Sequence, residues 1–151
     1  MKFEPTKQQD KAINSDGQIL VSAAAGSGKT AVLVEKIVKM LTGENPISAD
    51  KIMVVTFTNA AAAEFRSRID SRLQEEISKD ESNVNLQRQI MLLNNAYIGT
   101  TDSICLRLVR ENFEALGVSP SVKVVDSVEY HLMQYNILTD RKICVRLNKK
   151  L

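Results

Sequence analysis

The sequence contains no tryptophan, one histidine and two cysteines, and aromatic residues make up only 5% of it. A single histidine, His131, excludes a multi-histidine metal centre and leaves little room for a Ser-His-Asp arrangement. Cys105 and Cys144 stand far apart with no C-x-x-C partner, each in an apolar pattern, which predicts buried free thiols rather than a metal or redox pair. No apolar run approaches the roughly 20 residues needed to span a bilayer. The opening MKFEPTKQQDK lacks the apolar core of a signal peptide. These absences predict a cytoplasmic protein with no membrane partner. What is present, 44% hydrophobic and 25% charged residues in a chain of 151, is the composition of one globular domain with a real core.

The net charge of +2 conceals an asymmetry. Residues 1–140 hold all 18 acidic groups against 15 basic ones, while the last eleven residues, RKICVRLNKKL, hold five basic groups and no acid. Bulk charge therefore supplies no argument for nucleic-acid binding by the body of the domain, and any such argument must come from particular residues.

The chain is organised around ILVSAAAGSGKT, Ile19 to Thr30. A short apolar run predicts a buried strand. Ala23, Ala24, Ala25, Gly26, Ser27, Gly28, Lys29 and Thr30 follow, and a helical periodicity begins at once. Strand, small-residue loop, Lys-Thr and helix form a phosphate-binding loop, with Ala23 in place of the first glycine of G-x-x-x-x-G-K-[ST]. Small residues let backbone amides approach phosphate oxygens, and the helix aims its own N-terminal amides at the same anion. In such a loop Lys29 reaches the β- and γ-phosphates, and Thr30 is the Mg²⁺ ligand.

Around this loop the sequence alternates strands and helices. Thr6, with Gln9 three residues on, predicts a capping box opening a helix that ends near Asp16-Gly17. Gln9 is equally placed to be only that cap or to read an adenine base. Val34, Ile37, Val38 and Leu41 give a sheet-packing helix closed by Gly43, and Ile52 to Val55 a second buried strand. A helix with a stripe of Phe65, Ile69, Leu73 and Ile77 carries on from Ala60, its Arg66, Arg68 and Arg72 expected on a solvated face. Leu86 to Leu93 predicts a short helix, Tyr97 to Thr100 a third strand, and Ser103 to Leu116 a helix with Cys105, Leu108, Val109 and Leu116 inward. Val122 to Val125 is a fourth strand candidate. Asp126, followed by Ser127 rather than a second acid, is expected to cap a final helix, with a metal-holding role as the alternative. The alternation predicts an α/β fold with a parallel sheet.

Four stretches carry a more specific message: Gln9 before the loop, AAAGSGKT, VVTFTNAAAAEFRSRI and GTTDSICLRLVRENF. Together they resemble the opening motifs of superfamily 1 (UvrD/Rep-like) DNA helicases, and most closely those of the larger helicase–nuclease chains of the AddAB (RexAB) kind. The resemblance implies an incomplete P-loop, RecA-like parallel sheet flanked by helices. It implies that residues 1–126 are the N-terminal part of a helicase ATP-binding domain and 127–151 a helical segment. It also implies ATP and Mg²⁺ as cofactors and a role in DNA repair. The partners it implies for the parent enzyme are single- or double-stranded DNA and a protein of the AddB/RexB type.

By the same resemblance Gln9 reads the adenine edge. The triphosphate cradle is Ala23, Ala24, Ala25, Gly26, Ser27, Gly28, Lys29, Thr30 and Ala31, with Lys29 and Thr30 as the catalytic pair. Lys36 stands where the family often has an arginine near the base, and Thr56, Phe57, Thr58, Asn59 and Thr100 touch single-stranded DNA. Asp102 stands where the family usually has histidine, and an acid there repels a phosphate backbone. The family's acidic pair, arginine fingers, second motor lobe and nuclease domain have no counterpart in these 151 residues. The resemblance thus implies an ATP-binding N-terminal fragment that is not active alone. The alternatives are a stand-alone P-loop interaction module without motor activity, or another small P-loop enzyme.

Overall fold

The computed structural model describes residues 4–80 and 82–139. They form two compact units, the first ending at Ile104 and the second beginning at Cys105. Cys144 and the basic tail lie outside the described residues.

In the first unit, α1 (Lys7–Asn14) opens on the expected capping box: Thr6 accepts from the Gln9 amide while the Gln9 side chain accepts from the Thr6 amide. The α2 helix (Lys29–Thr42) follows the small-residue loop and ends at Gly43, whose amide donates to Lys39. A short 3₁₀ turn, Ala49–Lys51, leads into β1 (Met53–Thr56). Next comes α3 (Asn59–Ile77), with Thr58 as N-cap accepting from the Ala61 amide at 3.1 Å. Then α4 (Val84–Leu93) leads into β2 (Tyr97–Thr100).

The sheet is parallel, β1 beside β2, with Met53 opposite Tyr97 and Thr56 opposite Thr100. Because α3 carries Ala62, Phe65, Ile69 and Leu73 at helical spacing, it lays one stripe on the core. That core joins Val34, Val38 and Leu41 of α2 to Ile52, Leu93 and Ala96. The α/β alternation read from the sequence is present, as a helix-rich unit with a small parallel sheet.

Two predicted strands do not form. Ile19 to Val21 has no regular structure, and Leu20 is 95% exposed. A strand exists only by pairing its backbone with a neighbour, and β1 and β2 pair with each other, leaving none among the described residues for this segment. Val122 to Val125 is likewise irregular and mostly exposed. The expectation of a buried second strand is half met. Val54 turns inward, but Met53 and Val55 are exposed, because helices cover only one face of the sheet among the described residues.

In the second unit the expected helix from Ser103 to Leu116 is instead α5 (Thr101–Glu111) and α6 (Phe113–Leu116), broken at Asn112. Gly117 ends α6 in the left-handed region, φ 63°, as its helix-stop role requires. Of α5 only Ile104 is buried. Cys105 is exposed, and Leu108, Val109 and Leu116 are not buried, contrary to the inward face expected. An apolar stripe is buried only where another layer covers it, and the described part of this unit buries no large side chain. Asp126 caps α7 (Ser127–Thr139), its carboxylate accepting from the Glu129 amide at 2.8 Å. The N-cap reading of Asp126 therefore holds.

Candidate nucleotide and nucleic-acid sites

The small-residue loop takes its shape from two glycines. Gly26 and Gly28 adopt φ of 75° and 81°, which side-chain-bearing residues rarely tolerate. With Gly28 as its N-cap, α2 has no side-chain cap, and its first helical bond runs from Val32 to Gly28 at 3.0 Å. The amides of Lys29, Thr30 and Ala31 therefore precede the helical ladder and face outward, beside the positive end of the helix dipole. The Lys29 ammonium folds back over the loop, donating to the carbonyls of Ala23 at 2.8 Å and Ala24 at 2.7 Å. Thr30 is exposed in the first turn. A loop with outward amides, a cation held by its own carbonyls and an accessible hydroxyl suits a magnesium-bound polyphosphate in shape and charge.

Gln9 joins α1 to this loop. Its Nε2 donates to the Ser27 carbonyl at 3.0 Å, and its Oε1 accepts from the Thr6 amide at 2.8 Å. A cavity of about 480 Å³ lies between α1 and the segment Ile19 to Ala23, and Gln8, Gln9, Ser27, Lys29 and Val32 are among its lining. The even choice between cap and base reader is thus resolved only on one side: the cap is made, and the same side chain also faces the cavity.

Lys36 is placed differently from what a base-side cation needs. Its half-buried ammonium donates to the carbonyls of Ile13 and Ser15 at the C-terminal end of α1. Lys39 donates to Asn14 beside it. Cations belong at that end of a helix, and these two fasten α1 to α2.

The second group of predicted residues gathers at the carboxyl edge of the sheet. Parallel register sets Thr56 directly beside Thr100, and the Thr56 hydroxyl donates to Thr58 at 2.9 Å. Phe57, between them in sequence, is fully exposed. Asn59 begins α3, and Thr100 accepts from the Ser103 amide at 3.3 Å at the start of α5. A bare ring flanked by hydroxyl and amide groups can stack on a base while its neighbours bond phosphates. Asp102 is exposed in the first turn of α5, next to this edge.

The arginines of α3 are not one solvated face. Arg68 is, pairing with Glu64 at 2.5 Å. Arg66 instead donates to the carbonyls of Leu93 at 2.7 Å and Ile98 at 3.4 Å, tying α3 to the end of α4 and to β2. Arg72 grips Glu35 of α2 with two bonds, 2.6 and 3.1 Å, and reaches Glu75 and Glu76. Glu35 foremost raises the Arg72 pKa above its already high ordinary value, with burial opposing. Sequence reading missed these links, since no local pattern marks an arginine whose partner lies on another helix.

Among the described residues no cluster of three metal-ligating side chains occurs, and no helix is long and apolar enough to cross a membrane. Comparison with known proteins agrees with the motifs. The chain is 50% identical over 137 residues to the larger chain of the ATP-dependent helicase/nuclease of Clostridium perfringens. It is 46% and 45% identical over 137 residues to the proteins of that name from Ruminiclostridium cellulolyticum and Oceanobacillus iheyensis. In each case the match takes in 89% of this chain and 11% of the relative, so the chain spans about a tenth of their length. The pattern of the UvrD/REP helicase N-terminal domain matches residues 5–150, and the chain belongs to that family.

Proposed function

We propose that this chain is the ATP-binding, N-terminal part of a DNA helicase–nuclease of the kind its relatives represent, with a P-loop, RecA-like arrangement around Lys29. The observation that carries the reading is the loop itself: two glycines with positive φ, outward amides at the start of α2, and the Lys29 ammonium resting on carbonyls 2.7 and 2.8 Å away. ATP with Mg²⁺ would supply the polyphosphate and the divalent charge. Backbone groups of Ala23 to Ala31 would cradle it, Lys29 would turn from the loop carbonyls to the β- and γ-phosphates, and Thr30 would present its hydroxyl to the metal. Gln9 would face the base. Lys36, bound to the end of α1, would act there by holding α1 in place. Residues 1–126 would form the nucleotide-binding part of the domain and 127–151 a following segment.

Single-stranded DNA would lie across the carboxyl edge of the sheet, with Phe57 stacking on a base and Thr56, Thr58, Asn59 and Thr100 near the backbone. The parent enzyme would work in double-strand break repair together with a protein of the AddB/RexB type, in the cytoplasm. A stand-alone interaction module keeps the same fold but predicts no nucleotide dependence at Lys29. Calorimetric titration of Mg²⁺·ATP into the chain and its Lys29→Ala variant separates the two. Binding that is lost in the variant supports the nucleotide site, and equal heats in both proteins overturn it.

A further inference from the structure

An adenine edge offers one donor, its amino group, beside one ring-nitrogen acceptor. A primary amide matches it by accepting at Oε1 and donating from Nε2. Both ends of the Gln9 amide are already committed: Oε1 accepts from the Thr6 amide at 2.8 Å, and Nε2 donates to the Ser27 carbonyl at 3.0 Å. The close approach to the loop depends on Gly28, since a Cβ there would stand 3.1 Å from Gln9 Nε2. At its other end α1 is fastened to α2 by Lys36 and Lys39.

We propose that Gln9 is a latch between base recognition and the first turn of α1. Without nucleotide the side chain closes the capping box with its oxygen and holds the phosphate loop with its nitrogen. With an adenine nucleotide in the neighbouring cavity the amide turns to the base and gives up both bonds. The first turn of α1 loosens while its C-terminal end, clamped by the two lysines, stays in place. The inference rests on the reading of that cavity as an adenine-nucleotide site.

The reporter is the Thr6 amide, whose hydrogen bond to Gln9 Oε1 the latch would release. The Gln9 amide, which donates to the Thr6 hydroxyl, belongs to the half of the box that does not involve the Gln9 side chain. Amide hydrogen exchange is followed by NMR on the full 151-residue chain without ligand, with Mg²⁺·ATP and with Mg²⁺·tripolyphosphate, which has no base. Both ligands are expected to perturb the amides of residues 26–30. Only ATP is expected to speed exchange at Thr6, about fivefold, the scale set by loss of a cap interaction. The Gln9→Glu variant keeps an acceptor for the Thr6 amide but no donor for Ser27 or the base. Thr6 in that variant should exchange at one slow rate with or without ATP. If ATP perturbs residues 26–30 while Thr6 is unchanged, the latch is wrong and the nucleotide site stands. Equal acceleration by tripolyphosphate would also overturn it, since loop filling rather than base reading would then open the box. If ATP leaves residues 26–30 unperturbed, the nucleotide site fails and the latch with it.

Discussion

The side-chain oxygen of Gln89 accepts from the backbone amide of Ala49 at 2.8 Å, forty residues away in sequence. Its Nε2 donates to the carbonyls of Ile47 at 3.0 Å and Leu41 at 3.4 Å. Gln89 is 7% exposed, a buried polar group on α4 that stitches the end of α2 and the turn before β1 to the core. An amide can carry this role because it donates and accepts at once. Replacing it with leucine keeps the volume but strands the buried Ala49 amide. Gln89→Leu is therefore expected to destabilise the chain by about 1–3 kcal/mol, the cost of an unmet buried donor. Urea denaturation followed by circular dichroism measures it, and an unchanged midpoint would refute the assignment.

Acid should weaken the contact between α2 and α3. The Lys79 ammonium bonds Glu76 at 2.6 Å and, together with Arg72, lowers the Glu76 pKa below the ordinary glutamate value, while burial works against them. A carboxylate with a depressed folded-state pKa contributes stability that is fully present above its unfolded pKa. That contribution is lost as pH falls through the lowered folded value. Arg72, whose pKa is raised, stays charged in both states and adds no pH dependence in this range. The urea midpoint is expected to fall as pH drops below about 4.3, the ordinary glutamate value. It should fall less steeply in Glu76→Gln. Parallel curves for the two proteins would contradict the role given to Glu76.

Local signals in the sequence located what local physics determines. Thr6 and Gln9 announce a capping box because both halves of it lie within four residues. Gly26-Ser27-Gly28-Lys29-Thr30 announces the loop, and Gly43 and Gly117 mark helix ends. The stripe from Phe65 to Leu73 reveals which face of α3 is buried. What depends on a distant partner was not legible. Ile19 to Val21 has the composition of a strand, yet no described strand lies beside it to pair. Cys105 and Leu108 have helical spacing, yet nothing in the described part of their unit covers them. Lys36, Arg66 and Gln89 look like ordinary polar residues until the fold brings them to the carbonyls they hold. The gathering of Thr56, Phe57, Asn59 and Thr100 at one sheet edge follows from parallel register, which spacing alone did not set.

Gly99 has no side chain for a reason of space. A Cβ at this position of β2 would collide with Ser103 Oγ, well inside contact distance, while its next neighbours, on Ile104 and Ser103, lie at an ordinary 3.6 and 3.7 Å. Gly99→Ala is therefore expected to push Ser103 off Thr100, whose carbonyl its hydroxyl now bonds at 2.9 Å. A melting-temperature decrease of several degrees is expected, on the scale of about 1–3 kcal/mol for overpacking. Removing the colliding atom should restore most of it, so Gly99→Ala combined with Ser103→Ala should melt above Gly99→Ala alone. A double variant no more stable than the single one would place the difficulty elsewhere.

Phe57 and Asp102 make opposite contributions to the proposed DNA edge, and their variants should move affinity in opposite directions. The Phe57 ring is fully exposed, so it packs on nothing whose loss would cost folding energy. Base stacking on such a ring is worth about 1–3 kcal/mol. Phe57→Ala is accordingly expected to weaken binding of a fluorescent oligothymidylate between about fivefold and a hundredfold, with an unchanged melting temperature. Asp102 is also exposed, in the first turn of α5 close to Thr100, and its negative charge opposes a phosphate backbone. Asp102→Asn should strengthen binding. The gain should be larger in dilute salt than at about 0.15 M, where screening acts over roughly 8 Å. Fluorescence anisotropy across a salt series reads both effects. The Lys29→Ala variant serves as the control, because Lys29 is bound to the phosphate loop and makes no contact with the sheet edge. Unaltered affinity in Phe57→Ala would remove DNA from this edge, whatever the nucleotide site does.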